Sequence, residues 1–450
     1  MSEYIEDTIV AIATAHGVGS ISIVRLSGVD ALNIAKKITK KSDFKARYAN
    51  LTKLYDKDDE LIDESLSIYF KAPFSFTGED VIEFQCHGGI AISNMVLNEC
   101  IHHGARTANP GEFSKRAYFN DKIDLSQAEA IAKLIESRSE DGVKLLARQL
   151  DGELKTFVDD IKEKLLFMLA YSEVNIDYAE EDLPADIYKQ IEDKLDSIKK
   201  VLNSTLEASK RREGLIDGFK VAIVGKPNVG KSSLLNALLN KQRAIVSDIA
   251  GTTRDTIEES LKIGTHIIKI VDTAGIRDAS DEIEKIGIER SVEAIKDADI
   301  VIAIFDSSRE IENDDKDILK LLKEQDDKHL ITILNKTDLK PRFELIDPIL
   351  DESIKLNTKD NIDTLIERLT QLLDQNKHSD DITLISARQV KCVADTLSEI
   401  ENAYNPLQSG ELEFFSHHIT EALGFISTIT KPYEHSQMLD KMFGEFCLGK

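Results

Sequence analysis

No stretch of this chain is apolar for long enough to span a bilayer, and its start lacks the pattern of a secretory signal. Membrane insertion is not expected, and the reading is a cytoplasmic protein. Cysteine is scarce. Cys86, Cys100, Cys392 and Cys447 are scattered, and no two form a C-x-x-C pair. That argues against a disulfide framework and leaves each cysteine free or catalytic. Positive charge is in deficit: 57 Lys and Arg face 81 Asp and Glu, a net charge of −24. General attraction to nucleic acid is thereby excluded, and any RNA contact must use local basic patches.

What is present starts with size. At 450 residues the chain exceeds one typical domain, and about three is the expectation for this length. The stretch with the most chemical content is Gly225 to Ser232, G-K-P-N-V-G-K-S. It follows the apolar run Val221–Val224 and precedes Leu234, Leu235, Leu238 and Leu239. Strand, glycine loop and helix in that order form the context of a phosphate-binding loop. Its backbone N–H groups and the helix N-terminus favour an anion. Lys231 would reach the β- and γ-phosphates, and Ser232 would ligate Mg2+.

Four further motifs follow in a consistent order. Gly251-Thr252-Thr253-Arg254-Asp255 offers the Thr253 hydroxyl to the metal. Asp272-Thr273-Ala274-Gly275 ends an apolar run, so Asp272 can support Mg2+ through water and the Gly275 N–H can face the γ-phosphate. Asn335-Lys336-Thr337-Asp338 ends another. Guanine presents two donors on one edge, and Asp338 can accept both, whereas adenine would leave the carboxylate unpaired. The ligand is therefore GTP. Asn357-Thr358 stands where a Ser-Ala pair usually supports the base; Ile385-Ser386-Ala387 has the expected letters but comes after a polar stretch, and the earlier site is preferred. A Ras-like Gln that orients water is missing, since Ile276 follows Gly275. The acidic run Asp281 to Glu284 contains candidate substitutes, while Arg254 and Arg277 stand equally as finger or surface residues.

The rest of the chain sorts by period. Residues 1–118 read as mixed α/β, with strands at 9–13, 20–26, 66–70 and 81–84 and helices at 31–38 and 93–102. Residues 119–214 are helical. Leu146, Leu150, Leu154, Val158, Ile161, Leu165, Met168 and Tyr171 form one apolar stripe on one long helix. The run Lys210-Arg211-Arg212-Glu213-Gly214 reads as a linker into the next domain, or as a solvated helix end, rather than an RNA site. Residues 215–376 alternate strands and helices as a doubly wound sheet requires. Residues 377–450 return to helix, which suggests an α/β domain inserted into a helical one.

These residues resemble the MnmE (TrmE) tRNA-modification GTPases over essentially the whole chain. The resemblance is carried by D-T-I-V-A-I-A-T with V-R-L-S-G, by S-F-T-G-E-D-V-I-E-F-Q-C-H-G-G, by P-G-E-F-S-K-R-A-Y-F-N-D-K-I-D-L-S-Q-A-E-A, and by the terminal F-C-L-G-K. It implies an N-terminal α+β folate-binding and dimerisation domain (1–118), a discontinuous helical domain (119–214 and 377–450) and an inserted Ras-like P-loop GTPase domain (215–376). It implies a homodimer that works with an FAD-dependent partner, MnmG (GidA), in a heterotetramer or larger complex. Together they would install a carboxymethylaminomethyl or aminomethyl group on C5 of the wobble uridine of tRNA, using a tetrahydrofolate derivative in the 5,10-methylene or 5-formyl form.

Carried over position by position, the GTP contacts are Asn228, Val229, Gly230, Lys231, Ser232 and Ser233; Ser247, Asp248, Ile249, Ala250, Gly251, Thr252 and Thr253; Asp272, Thr273, Ala274 and Gly275; and Asn335, Lys336 and Asp338. The resemblance places K+ on Asn228, Ser247, Ile249 and Thr252, where it would do the work of an arginine finger. Glu284 matches the water-orienting acid and Cys447 the functional cysteine. Arg25, Glu83, Lys122 and Lys450 match folate contacts. Two readings stand for Arg25, folate contact or ordinary salt-bridge partner, and two for Cys447, reactive thiol or buried small apolar residue. His87, before Gly88-Gly89, is as readily a turn-stabilising residue as a catalytic one. The rival function is a GTP switch that only binds, as in ribosome assembly.

Overall fold

The computed structural model describes residues 7–15, 17–177, 185–241, 259–271, 294–324, 328–343, 347–374, 381–431, 436–446 and 449. They fall into two compact units: Met1–Ala132, Arg148–Lys199 and Lys391–Lys450 form one, and Lys133–Ala147 with Lys200–Val390 form the other.

The first unit is built on a six-stranded sheet ordered β3-β4-β5-β2-β1-β6. The strands are β1 (Ile9–Ile12), β2 (Ile21–Ser27), β3 (Ala49–Tyr55), β4 (Leu61–Phe70), β5 (Val81–His87) and β6 (Arg106–Thr107). Alternation sorts their side chains. Val24 and Leu26 of β2 with Ile82, Phe84 and Cys86 of β5 pack beneath α1 (Ala31–Thr39) and α2 (Ile90–His102). The odd positions between them, Arg25 and Glu83, point to the opposite face and lie in register across β2 and β5. On that face Ile9, Ala11 and Ala108 close around Phe113 of α3 (Glu112–Phe119). Strand β3, which the sequence reading did not anticipate, is an edge strand with its even residues buried and its odd ones turned outward.

Helix α4 (Leu125–Glu136) follows α3, and beyond it the apolar stripe that reads as one long helix occupies two. α5 (Glu140–Leu150) ends before Gly152, whose φ of 93° breaks the helix, and α6 (Glu153–Asp177) carries Leu154, Val158, Ile161, Leu165 and Met168 into the core. The reverse correction applies at Lys210–Gly214. This run is not a linker: it forms the last turns of α7 (Ala185–Asp217), a helix end with Lys210, Arg211 and Glu213 in solvent as the alternative reading had it. Arg212 is buried there and donates to the Asp381 carbonyl and to Thr383 Oγ1. Gly214 is small for packing: a Cβ would fall 2.3 Å from the ring of Phe219.

The second unit holds a doubly wound sheet ordered β12-β11-β10-β7-β9-β8. Its strands are β7 (Phe219–Val224), β8 (Glu259–Ile263), β9 (His266–Val271), β10 (Ile300–Asp306), β11 (His329–Asn335) and β12 (Ile354–Lys355). All neighbours are parallel except β8 with β9. Every residue of β10 is buried, as a central strand covered on both faces must be. Ile302 and Ile304 face α8 (Lys231–Lys241), whose Leu234, Leu235 and Leu238 are buried. Val301, Ala303 and Phe305 face α9 (Asn313–Lys323) through Leu319 and Leu322.

An ion network around the buried Arg116 joins the start of the chain to α3. Arg116, 5% exposed, donates to Asp7 Oδ1 (2.5 Å), Glu79 (3.1 Å) and Glu112 Oε1 (3.2 Å). Arg106 donates to both oxygens of Glu112 (2.8 and 2.5 Å). Burial opposes the charged Glu112 carboxylate, but the bonds from Arg106 and the Asn109 N–H, with the charges of Arg106 and Arg116, outweigh it and pull its pKa down to about 2. A carboxylate lowered on folding contributes stability that is complete above its ordinary value of 4.5 and is lost as pH falls towards 2. Urea denaturation across that window should show the loss in the native chain. In Glu112→Gln it should be shallower, from a lower plateau at neutral pH.

Candidate functional site

The loop 225–230 leaves the C-terminal edge of the parallel sheet beside the ends of β10 and β11, where such folds bind ligands. Its backbone explains its composition. Gly225, Asn228 and Gly230 have φ of 155°, 63° and 114°, conformations that glycine and asparagine tolerate best. A Cβ on Gly225 would fall 2.4 Å from the Ile304 carbonyl, and one on Gly230 2.2 Å from Asn335 Nδ2. Val229 is the loop's buried anchor, at 2% exposure. Helix α8 begins at Lys231, so the first-turn N–H groups lie beside the loop.

The sequence-predicted residues that are described here converge. Asn335, 1% exposed, donates through Nδ2 to the Val229 carbonyl (2.8 Å) and accepts from the Thr358 N–H at Oδ1 (3.0 Å). Lys336 donates to the Asn228 carbonyl (2.8 Å) and to Asp306 Oδ2 (2.6 Å). The stretch Asn335–Asp338 is thereby strapped to the loop 225–230 by its first two residues. Asp338 follows, exposed on the same turn. Thr358, not Ser386, reaches this site: the Ile385 N–H is instead engaged by Gln389 Oε1 (2.9 Å). Lys231 Nζ donates to the carbonyls of Gly225 (2.5 Å) and Lys226 (2.8 Å), and burial lowers its pKa below the ordinary lysine value. Ser232 and Ser233 lie on the first turn of α8.

Two residues that brace this loop escaped the sequence reading. Asp306 is the last residue of β10, and its carboxylate holds Lys336 and the Ser308 N–H and hydroxyl (3.0 and 2.6 Å). Burial alone would raise its pKa; those partners lower it. Its place at a parallel-strand end was a usable signal. Lys226, second in the loop, is the other. Its ammonium meets Asp315 Oδ2 (2.7 Å) and Glu312 Oε2 (2.8 Å), which form the capping box of α9. Nothing local in the sequence announces that pairing across 86 residues.

The residues Ser247, Asp248, Ile249, Ala250, Gly251, Thr252, Thr253, Asp272, Thr273, Ala274, Gly275, Glu284, Cys447 and Lys450 lie outside the described residues, as do Arg254, Ile276 and Arg277. For metal, the described part of the site offers the Ser232 hydroxyl, a hard oxygen donor compatible with Mg2+. Among the described residues no group of three or more His, Cys, Asp or Glu could hold a metal ion.

In the first unit, Arg25 Nε donates to Glu83 Oε1 (2.9 Å), so the salt-bridge geometry exists. The guanidinium also lies near the rings of Phe113 (5.7 Å) and Phe76 (5.9 Å). The Lys122 stem runs beside Gly78. Gly449 lies against the carbonyl of Ile12, close enough that a Cβ would be 2.4 Å away. Ile12 is on β1, the strand that pairs with β2 and sets Ala11 opposite Arg25. Gly449 thus lies against β1, the strand next to the one that carries Arg25. His87 bonds Asp63 Oδ1 (2.7 Å) at the end of β5. Cys86 and Cys100 are buried; burial pushes Cys86 to about 12 and Cys100 well above its ordinary value, so neither is a thiolate at neutral pH.

Comparisons with known proteins identify the family. The family model described as "MnmE helical domain" matches residues 125–447, and "GTP-binding protein TrmE N-terminus" matches residues 8–122. The chain is 67% identical over 444 residues to the tRNA modification GTPase MnmE of Aliarcobacter butzleri, covering 99% of each. It is 59% identical over 446 residues to that of Sulfurimonas denitrificans, covering 99% of this chain and 100% of the relative. Among solved structures, Era in complex with MgGDPNP and a 16S ribosomal RNA segment is 25% identical, with a TM-score of 0.26, over 40% of this chain and 66% of that one.

The Lys226 contact gives a test. Lys226→Met leaves Asp315 buried without its cation and frees the loop carbonyl that holds Lys231. GTP affinity should fall by roughly tenfold, one charge-assisted hydrogen bond's worth, and Lys226→Arg should recover most of it. Titration with a fluorescent GTP analogue measures both.

Proposed function

Because the chain belongs to the MnmE family of tRNA modification GTPases, we propose that it binds GTP between the 225–232 loop and Asp338 and couples hydrolysis to modification of a tRNA base. The chain is a GTP hydrolase. The observation that carries the reading is the double strap of Asn335 and Lys336 onto the phosphate loop, which fixes the distance from base edge to phosphates. A nucleotide that satisfies Asp338 is thereby set in register with Lys231.

The chain's own residues have these roles. Lys231 exchanges its loop carbonyls for phosphate oxygens. Backbone N–H groups from Val229 to Ser233 receive the remaining phosphate charge. Asp338 accepts both guanine donors. Ser232 and Thr253 would hold Mg2+, with Asp272 as a supporting carboxylate, and a bound ion would supply positive charge at the phosphates. Asn228, Ser247, Ile249 and Thr252 would hold K+, whose charge would stimulate hydrolysis, and Glu284 would orient the attacking water. The other members of the GTP set are those named above, from Asp248 to Gly251 and from Thr273 to Gly275.

The modification chemistry belongs to the other site. Arg25, Glu83, Lys122 and Lys450 bind a tetrahydrofolate derivative. The donor set fits: a carboxylate accepts the amino-pyrimidine edge of a pterin, and cations receive a glutamate tail. Cys447 acts in the modification. The organisation is 1–118 for folate binding and dimerisation, 119–214 and 377–450 for the helical domain, and 215–376 for the GTPase domain. The chain works as a homodimer with the FAD-dependent MnmG (GidA) in the cytoplasm, on the wobble uridine. No helix among the described residues is long and apolar enough to cross a membrane.

Two experiments test this. Cells without the protein should lose the carboxymethylaminomethyl-type uridine in nucleoside mass spectrometry; unchanged wobble uridines would leave only the binding switch. Asp338→Asn should cost GTP affinity roughly 100-fold or more, because the amide cannot accept from both guanine donors. Competition by ATP should stay equally poor in both forms. An unaltered GTP affinity would remove Asp338 from base recognition.

A further inference from the structure

The acidic chain contains one dense exception. Residues 36–53 hold seven Lys or Arg (Lys36, Lys37, Lys40, Lys41, Lys45, Arg47 and Lys53) against a single acidic residue, Asp43. The structure lays this segment along one rim of the first unit. Lys36 and Lys37 are in the last turn of α1; Lys40 is its left-handed cap. The chain then follows the open edge of the sheet, where the Arg47 N–H bonds the Tyr69 carbonyl (2.8 Å), and enters the edge strand β3 at Ala49. Lys41 is fixed on Asn50 Oδ1 (2.7 Å).

A favourable helix dipole accounts for Lys36, Lys37 and Lys40. It does not account for Lys41, Lys45 and Arg47, which lie beyond the helix; Lys53 stands across from Glu64 on the other face of the sheet and is not part of this group. Nor does internal pairing: Lys40 meets Asp59 (2.6 Å), but among the described residues none of the other six is in an ion pair. The rim also carries exposed aromatic rings. Tyr48 is 56% exposed with the Lys45 ammonium 5.7 Å from its centroid, and Arg47 reaches the carbonyl of Phe74, itself 69% exposed. Spaced cations beside solvent-facing rings suit a nucleic-acid strand, with phosphates on the lysines and an unstacked base on a ring.

We propose that the rim from Lys36 to Arg47 is an RNA-docking surface, and that it receives the phosphate backbone of the tRNA. The proposal rests on the tRNA-modifying reading above and supplies what that reading lacks, a place for a polyanion on a chain of net charge −24. Electrostatic docking of this kind is sequence-independent and weakens with salt.

The test uses the full-length protein and a fluorescent unmodified tRNA across a salt series. The triple variant Lys37→Glu, Lys41→Glu, Lys45→Glu should bind roughly tenfold or more weakly. Its slope of log affinity on log salt should be shallower by about two, because each phosphate left unneutralised removes about 0.7 from the slope. The matching Arg triple should bind like the native chain. So should a control reversing the exposed Lys155, Lys210 and Lys316, and GTP hydrolysis without RNA should be unchanged in all. Native tRNA affinity and salt slope in the Glu triple would overturn the proposal, as would an equal loss in the control. Loss of binding to anionic lipid vesicles with tRNA binding intact would also overturn it. If the Glu triple binds normally and still restores the modified uridine in deficient cells, the rim is wrong and the modification reading stands. If deficient cells keep that uridine, the modification reading itself fails.

Discussion

The second unit depends on one buried amide. Asn335 joins the Val229 carbonyl to the Thr358 N–H, and neither group has an alternative in water. An amide side chain can donate and accept at once, so it joins three loops that follow three different elements. Lys336 repeats the join one residue later, from Asn228 to Asp306. The glycine at 230 is what lets Asn335 come so close. The phosphate loop therefore does not stand alone: its shape is set by the strand ends around it. The Lys226 contact to the cap of α9 fixes its other side.

The first unit is organised by charge in a different way. Arg116 and Arg106 share Asp7, Glu79 and Glu112 beneath the loop and helix that frame Arg25. Breaking one partner of such a buried set leaves the rest uncompensated. That rigidity holds Phe113 against the sheet and so shapes the surroundings of Arg25. Removing Glu112 would reach the Arg25 site through Phe113, on the same helix.

Some of this was legible and some was not. The glycine loop, the N-K-x-D motif and the parallel strands were readable, because each is local and its chemistry is confined to a few adjacent residues. The break at Gly152 was not, because an apolar period of three and four continues across it; only the positive φ reveals the turn. Helix α7 ran through the expected linker because Gly214 serves packing against Phe219 rather than termination. Strand β3 was hidden because two of its three buried positions are the polar Asn50 and Thr52 while Leu51 faces outward, so the apolar alternation that marks a strand is missing. Asp306 was within reach, since it ends a buried strand; Lys226 was not, since its partners are far along the chain.

The sequence by itself determined the nucleotide chemistry. Motif spacing, residue type and order define phosphate binding and guanine selection, since those interactions use short contiguous segments. Only the tertiary structure decided which residues act together. It set Arg25 opposite Glu83 through strand register, brought Gly449 back to β1, and ran the cations of residues 36–47 from the end of α1 to the start of β3. Register, chain return and edge placement follow from how apolar faces pack over long separations, and no local pattern encodes them.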